Sequence, residues 1–202
     1  PDVDTAQTAM ARAVAQARRA STVVDRLRRL LERPDLAGQA QPLALPTAVQ
    51  DVLHLLEPEL AQRGVVPEVL AAADLPPVLA EPVALQQIIH NLLMNALQAL
   101  EQVPPAERQL RLGMAHTASG QVTLSVRDHG PGIPPEARQH LFEPFYTTRT
   151  GGLGLGLTLC ESLAQAMGAQ LSLAPEATPS SAAQRGAEFV LTLNVAPPTD
   201  DR

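Results

Sequence analysis

Four groups of residues have types and spacings suited to chemistry. The first is a run of neutral amides, Gln87, Asn91, Asn95, Gln98 and Gln102, at spacings of four, four, three and four. On a helix that spacing puts them in one stripe. Such a stripe offers oxygens to a hard cation and N–H donors to phosphate, but it is equally a solvent face. The second group is Asp128-His-Gly-Pro-Gly132, followed by Ile133, directly after an apolar run. Asp128 could accept from an exocyclic amine while Gly130 and Gly132 let backbone approach a flat ring. A plain strand-to-turn junction uses the same residues. The third is GGLGLGL over 151–157, ahead of a helical apolar pattern. Free backbone N–H groups at a helix start, with the helix dipole, suit an anion such as phosphate. A hinge is the other reading. The fourth is LFEPFYTTR over 141–149, which holds Phe142, Phe145 and Tyr146, three of the chain's four aromatic residues. They read as a small local core or as a docking surface, and Arg149 could reach a phosphate.

Taken together and in this order, the four groups resemble the catalytic domain of sensor histidine kinases, within the wider group of gyrase, Hsp90 and MutL-type ATPases. HNLLMNALQA matches the asparagine box, DHGPGI the first glycine box, LFEPFYTTR the aromatic box and GGLGLGL the second glycine box. The resemblance covers about residues 43–195. It implies ATP and Mg²⁺ as cofactors, with Asn95 as the Mg²⁺ ligand and Asn91 assisting at the phosphates. Asp128 would bond the adenine amine, and Gly130, Gly132 and Ile133 would shape the base pocket. Tyr146, Thr147, Thr148 and Arg149 would contribute from the aromatic box. Gly152, Leu153, Gly154, Leu155, Gly156 and Leu157 would complete the ATP-binding set, with residues 129–153 as a lid. Two departures stand out: Arg149 replaces a lysine found in many members, and Gln98 stands where several subfamilies carry a basic residue. The stretch LTLCESLAQAMGA after the second glycine box is similar to sensors of nitrogen and dicarboxylate control.

The same resemblance implies phosphoryl transfer from MgATP to a histidine on a helical hairpin, then to an aspartate of a response-regulator receiver domain. The phosphoacceptor box pairs a histidine with a following acid. None of His54, His90, His116, His129 or His140 is followed by one. The acceptor is therefore expected outside this chain, which by itself would bind ATP without autophosphorylating. A homodimer and the cytoplasmic part of a membrane-bound sensor are implied for the full-length protein. A gyrase- or Hsp90-type ATPase is the first alternative. Those enzymes place a glutamate base one turn before the metal-binding asparagine, where this chain has Asn91, and that disfavours hydrolysis. A nucleotide-binding interaction module is the second, a serine kinase of the anti-sigma type the third.

These residues need elements to carry them. Residues 4–33 lack Gly and Pro and repeat apolar residues from Met10 to Leu31 at spacings of three and four. That pattern predicts an amphipathic helix, roughly 45 Å long, that wants a bundle partner. Residues 1–33 resemble the second helix of the dimerisation hairpin, 34–46 read as a linker, 47–197 as the ATP-binding domain and 198–202 as a disordered tail. Within the domain the pattern predicts helix at 47–63, strand at 65–71, helix at 82–102 and strands at 108–116 and 121–127. Helix follows at 154–168 and strands at 169–174 and 187–195. The linking Thr117-Ala-Ser-Gly120 predicts a hairpin. The fold class is α+β, a two-layer sandwich with helices on one face of a mixed, mostly antiparallel sheet.

Composition bounds the rest. The chain has 202 residues, 45% apolar, enough for a core. Net charge of −6 disfavours general nucleic-acid binding. The single cysteine, Cys160, excludes an internal disulfide and reads as a buried small residue. No apolar run is long enough to cross a bilayer.

Overall fold

The structure is a computed structural model that describes Met10 and residues 39–148, 152–175 and 186–198. The predicted helix over 4–33 lies outside the described residues except for Met10, which is helical. In chain order the elements are β1 (Gln41–Leu43), α1 (Leu45–Leu55), α2 (Glu57–Arg63), β2 (Glu68–Ala71), β3 (Val78–Ala80) and α3 (Pro82–Leu100). Then come a 3₁₀ turn (Pro105–Glu107), β4 (Leu110–His116), β5 (Gln121–Asp128), α4 (Pro135–Arg138), α5 (Gly156–Ala166), β6 (Gln170–Leu173) and β7 (Glu188–Asn194).

The main sheet runs β2-β4-β5-β7-β6, with β2 parallel to β4 and every other pair antiparallel. This is the mixed, mostly antiparallel sheet that the α+β pattern predicts. The 117–120 hairpin joins β4 to β5, with Gly120 N–H bonded to the Thr117 carbonyl at 3.0 Å. Period-two alternation puts Val122, Leu124, Val126 and Asp128 of β5 on the buried side, with Leu110, Leu112 and Met114 of β4 and Phe189, Leu191 and Leu193 of β7. Helices cover that face. The other face carries Arg111, Ser125, Arg127 and Thr192, all half-buried or exposed.

The long helix α3 is the frame of the molecule. Pro82 opens it, and the Glu81 carboxylate caps it by accepting from Val83 N–H at 3.0 Å and Ala84 N–H at 2.6 Å. Leu85, Ile88, Ile89, Leu92, Leu93, Ala96, Leu97 and Leu100 are all buried. At about 1.5–3 kcal/mol for each fully buried large side chain, this stripe fixes which way the opposite face points.

Two segments depart from the sequence reading. The helix predicted at 47–63 is two helices, because Pro58 cannot bond within a continuing helix and clashes with the preceding turn. Leu56 closes α1 and opens α2, and it is 2% exposed, so the break is packed into the core. In the second departure, β1 pairs antiparallel with β3 in a separate two-stranded sheet, which Val78 bridges to Val195 beyond the end of β7. The last residues of the segment read as a linker therefore carry β1 and the start of α1.

Candidate functional site

The exposed side of α3 faces a cavity of about 1200 Å³. Asn91, Asn95, Gln98 and Gln102 line it, so the amide stripe is a cavity wall along most of its length. Gln87 does not reach the cavity.

Asp128 lines the same cavity. It is 4% exposed, the only buried charged or polar side chain among the described residues. The alternation of β5 turns it inward, as it does Val126 two residues earlier. A buried carboxylate is costly unless it is bonded. Here Oδ1 accepts the Gly130 N–H at 2.8 Å, and the Asp128 N–H donates to the Ala187 carbonyl at 2.9 Å. The carboxylate thus sits on a cavity wall with Oδ1 held from the backbone. Gly132 and Ile133 line the cavity beside it. Gly130 does not, contrary to the expectation that its bare backbone faces a ring. A Cβ there would stand 3.0 Å from Ala99 Cβ and 2.8 Å from Asp128 Oδ1, so this glycine serves the approach of the turn to α3.

The start of α5 forms another stretch of the cavity wall. Its N-cap residue, Leu155, makes no side-chain cap, and the first turn holds no acid. Its leading N–H groups lack intrahelical partners, and the positive end of the helix dipole lies with them, which suits an anion. Gly152, Leu153, Gly154, Leu155, Gly156 and Leu157 all line this stretch. The aromatic segment clasps it: Phe145 N–H donates to the Gly154 carbonyl at 3.0 Å, and Thr158 Oγ1 donates to the Phe142 carbonyl at 3.1 Å.

The three neighbouring aromatics divide their roles. Phe142 packs partly buried against the core. Tyr146 lines the cavity, together with Thr147 and Thr148, and its ring lies 5.3 Å from that of His140. Phe145 is 63% exposed with φ of 66°, a left-handed conformation rare for a bulky residue. Arg149 lies outside the described residues. Cys160 is fully buried, as a small apolar residue would be.

Several further residues that line the cavity were not assigned a role from sequence. His90 and Met94 come from α3, Arg138 from α4, Gly186 and Ala187 from just before β7, and Phe189 from within it. These last three reach Asp128 only through strand pairing across most of the domain.

The donor set fits a nucleotide and a hard cation. It combines a buried acceptor, an uncapped helix start and neutral amide oxygens on one cavity wall. No group of three or more His, Cys, Asp or Glu suited to a metal occurs among the described residues. A cation here would depend largely on phosphate oxygens and water, which is the habit of Mg²⁺.

His129, next to Asp128, gives the site a pH response. Burial pushes its pKa below the ordinary 6.5. A hydrogen bond to the Gln109 backbone opposes this, and Arg127 and Arg111 add to the lowering. Its Nδ1 is buried with no partner among the described residues. The unfolded chain therefore takes up the proton first. The stability due to neutral His129 is whole above about pH 6.5 and is lost as pH falls through the lower folded value. The urea midpoint should fall more between about pH 7.5 and 5.5 in the wild type than in His129→Asn. Equal falls would show that His129 does not carry the response.

Comparison with known proteins gives a consistent picture. The family described as histidine kinase-, DNA gyrase B-, and HSP90-like ATPase matches residues 80–197. Sensor histidine kinase TmoS of Ectopseudomonas mendocina is 34% identical over 166 residues, 82% of this chain and 17% of that protein. The C4-dicarboxylate transport sensor protein DctS of Rhodobacter capsulatus is 31% identical over 183 residues, 90% of this chain and 26% of that protein. The chain thus spans about a quarter or less of the length of these curated relatives. Among solved structures, full-length ShkA in complex with AMPPNP superposes with a TM-score of 0.73 at 26% identity, over 93% of this chain and 40% of that one. Histidine kinase ThkA in complex with response regulator protein TrrA superposes at 0.63 and 22% identity, over 81% of this chain and 43% of that one, a likeness of fold.

Proposed function

We propose, since this chain belongs to the family of histidine kinase-, DNA gyrase B- and HSP90-like ATPases as the ATP-binding domain of a sensor histidine kinase, that it positions MgATP for phosphoryl transfer to a histidine on a helical hairpin outside these residues. The observation that carries this reading is one cavity lined by three unlike groups, the buried Asp128 carboxylate, the uncapped start of α5 and the amide face of α3. Asp128 accepts from the adenine amine, with Gly132 and Ile133 at the base. The α5 N-terminus and the glycines before it hold the phosphates, aided by Asn91, Tyr146, Thr147 and Thr148. Asn95 would hold Mg²⁺, whose charge would offset that of the phosphates. Arg149 belongs to the same set by sequence.

The chemistry left to the chain is positioning and charge stabilisation. The γ-phosphorus bond to the bridging oxygen breaks as a bond to the imidazole nitrogen forms, and ADP leaves. The imidazole proton passes to the acid beside the acceptor histidine. Asn91 cannot take a proton from water as a carboxylate would, which favours transfer over hydrolysis. From the histidine the phosphoryl group passes to a response-regulator aspartate, the kind of partner present in the ThkA structure. We assign residues 1–33 to the second helix of the dimerisation hairpin, 34–46 to the linker and 47–197 to the catalytic domain of a homodimeric, membrane-bound parent. No helix among the described residues is long and apolar enough to cross a membrane.

The test fuses the hairpin of a sensor histidine kinase relative, with its acceptor histidine, ahead of this chain, so that linkage raises the local concentration. With γ-labelled MgATP, acid-labile and alkali-stable label should appear on the fused hairpin and none on the unfused chain. Label released as free phosphate without a phosphorylated hairpin would overturn this reading in favour of the hydrolase.

A further inference from the structure

We infer that Gly186, just before β7, is a positioning residue for the nucleotide base, holding Asp128 where its carboxylate meets the exocyclic amine. The inference rests on the nucleotide reading above and concerns a residue outside the four sequence boxes.

Asp128 ends β5, and β7 runs antiparallel beside it with Arg127 opposite Glu188. One step beyond that pair, the Asp128 N–H donates to the Ala187 carbonyl at 2.9 Å. The next residue, Gly186, crosses directly over the Asp128 peptide. A Cβ on Gly186 would overlap the Asp128 carbonyl oxygen and stand 2.9 Å from its carbonyl carbon and 3.1 Å from His129 Cα. All three are backbone atoms, so no side chain can swing aside. The φ of 143° at Gly186 is a second bar to any L side chain. On its other side, a Cβ on Gly132 would lie 3.4 Å from both N and O of Gly186. Gly186 is therefore wedged between the first and last residues of the turn that presents the carboxylate.

The consequence is specific. Any side chain at 186 must push the Asp128–His129 peptide outward, carrying the carboxylate and its bond to Gly130 N–H with it. Losing a hydrogen bond to a charged group costs about tenfold or more in affinity. The three atoms nearest to that Cβ all belong to Asp128 and His129, the residues at the carboxylate. Loss should therefore fall on recognition of the amine and spare the phosphates.

A double-mutant cycle tests this, with Gly186→Ala and Asp128→Asn made singly and together. Calorimetric titrations would use MgATP, the purine riboside triphosphate lacking the 6-amino group, and tripolyphosphate. Gly186→Ala should weaken ATP about tenfold or more and change the other two by less than about twofold. In the Asp128→Asn background it should have no further effect on ATP. Equal losses for ATP and the amine-free nucleotide, or additive effects in the double variant, would overturn the inference. Failure of the wild type to bind any of the three would instead sink the nucleotide reading itself. Should Gly186→Ala not fold, hydrogen exchange on the wild type decides. ATP should protect residues 128–130 and 186–188 together, and the amine-free nucleotide neither. Protection of 128–130 alone would overturn the coupling.

Discussion

Asp128→Asn should weaken ATP binding by one to two orders of magnitude while leaving the domain folded. A hydrogen bond to a charged group contributes about 1.5–3 kcal/mol, and each 1.4 kcal/mol is tenfold in affinity. The site adds to that sensitivity, because Asp128 is 4% exposed and bulk water cannot stand in for the lost acceptor. The substituted amide keeps an oxygen for the Gly130 N–H, so the turn survives. Its NH₂ meets the adenine amine donor to donor when the amide is oriented that way. Titration with ATP and with purine riboside triphosphate isolates the effect, since the second ligand should bind wild type and variant alike. Equal losses for both would show that Asp128 shapes the cavity without reading the amine.

Leu97→Ala should do the reverse, destabilising the domain without altering what the folded fraction binds. Leu97 lies on the same helix as the cavity amides, directly before Gln98, but faces the core and is fully buried. Leu→Ala at such sites costs about 2–5 kcal/mol, from lost burial and the cavity left behind. Against a total stability of roughly 5–15 kcal/mol this is a large fraction. At about 2–4 °C per kcal/mol for a chain of this size, the melting temperature should fall by on the order of ten degrees. The urea midpoint and the ATP affinity, measured on the same preparation well below the transition, separate the two effects. An unchanged midpoint would mean that the face carrying the amides is not fixed by the opposite face.

The contrast between these two residues shows what local pattern can convey. The apolar stripe of α3 repeats with the helical period over nineteen residues, and every large member of it is buried. Its direction follows from sequence, and so does the wall on which Asn91 and Asn95 stand. The 117–120 turn and the alternation of β5 were equally readable, and that alternation turns Asp128 inward. β1 and β3 were not, because three residues each are too few for a period to emerge. The break at Leu56 was written in Pro58, but the apolar pattern on both sides masked it. The residues missed at the site share another cause. Gly186 and Ala187 touch Asp128 through a pairing some sixty residues away in sequence, and no neighbouring residue reports it. Gly186 before an alternating strand was the available clue. Gly130 looked like a base-facing glycine because its motif names the turn and not the helix packed against it.

The most direct measurement is a crystal structure of this chain with Mg²⁺ and a non-hydrolysable ATP analogue. The adenine amine should lie within hydrogen-bond distance of the Asp128 carboxylate. The phosphates should stand at the N–H groups that open α5, and the Asn95 side-chain oxygen should be among the Mg²⁺ ligands. A nucleotide seated with its base elsewhere, or with its phosphates away from α5, would contradict the roles assigned to Asp128 and to the start of α5.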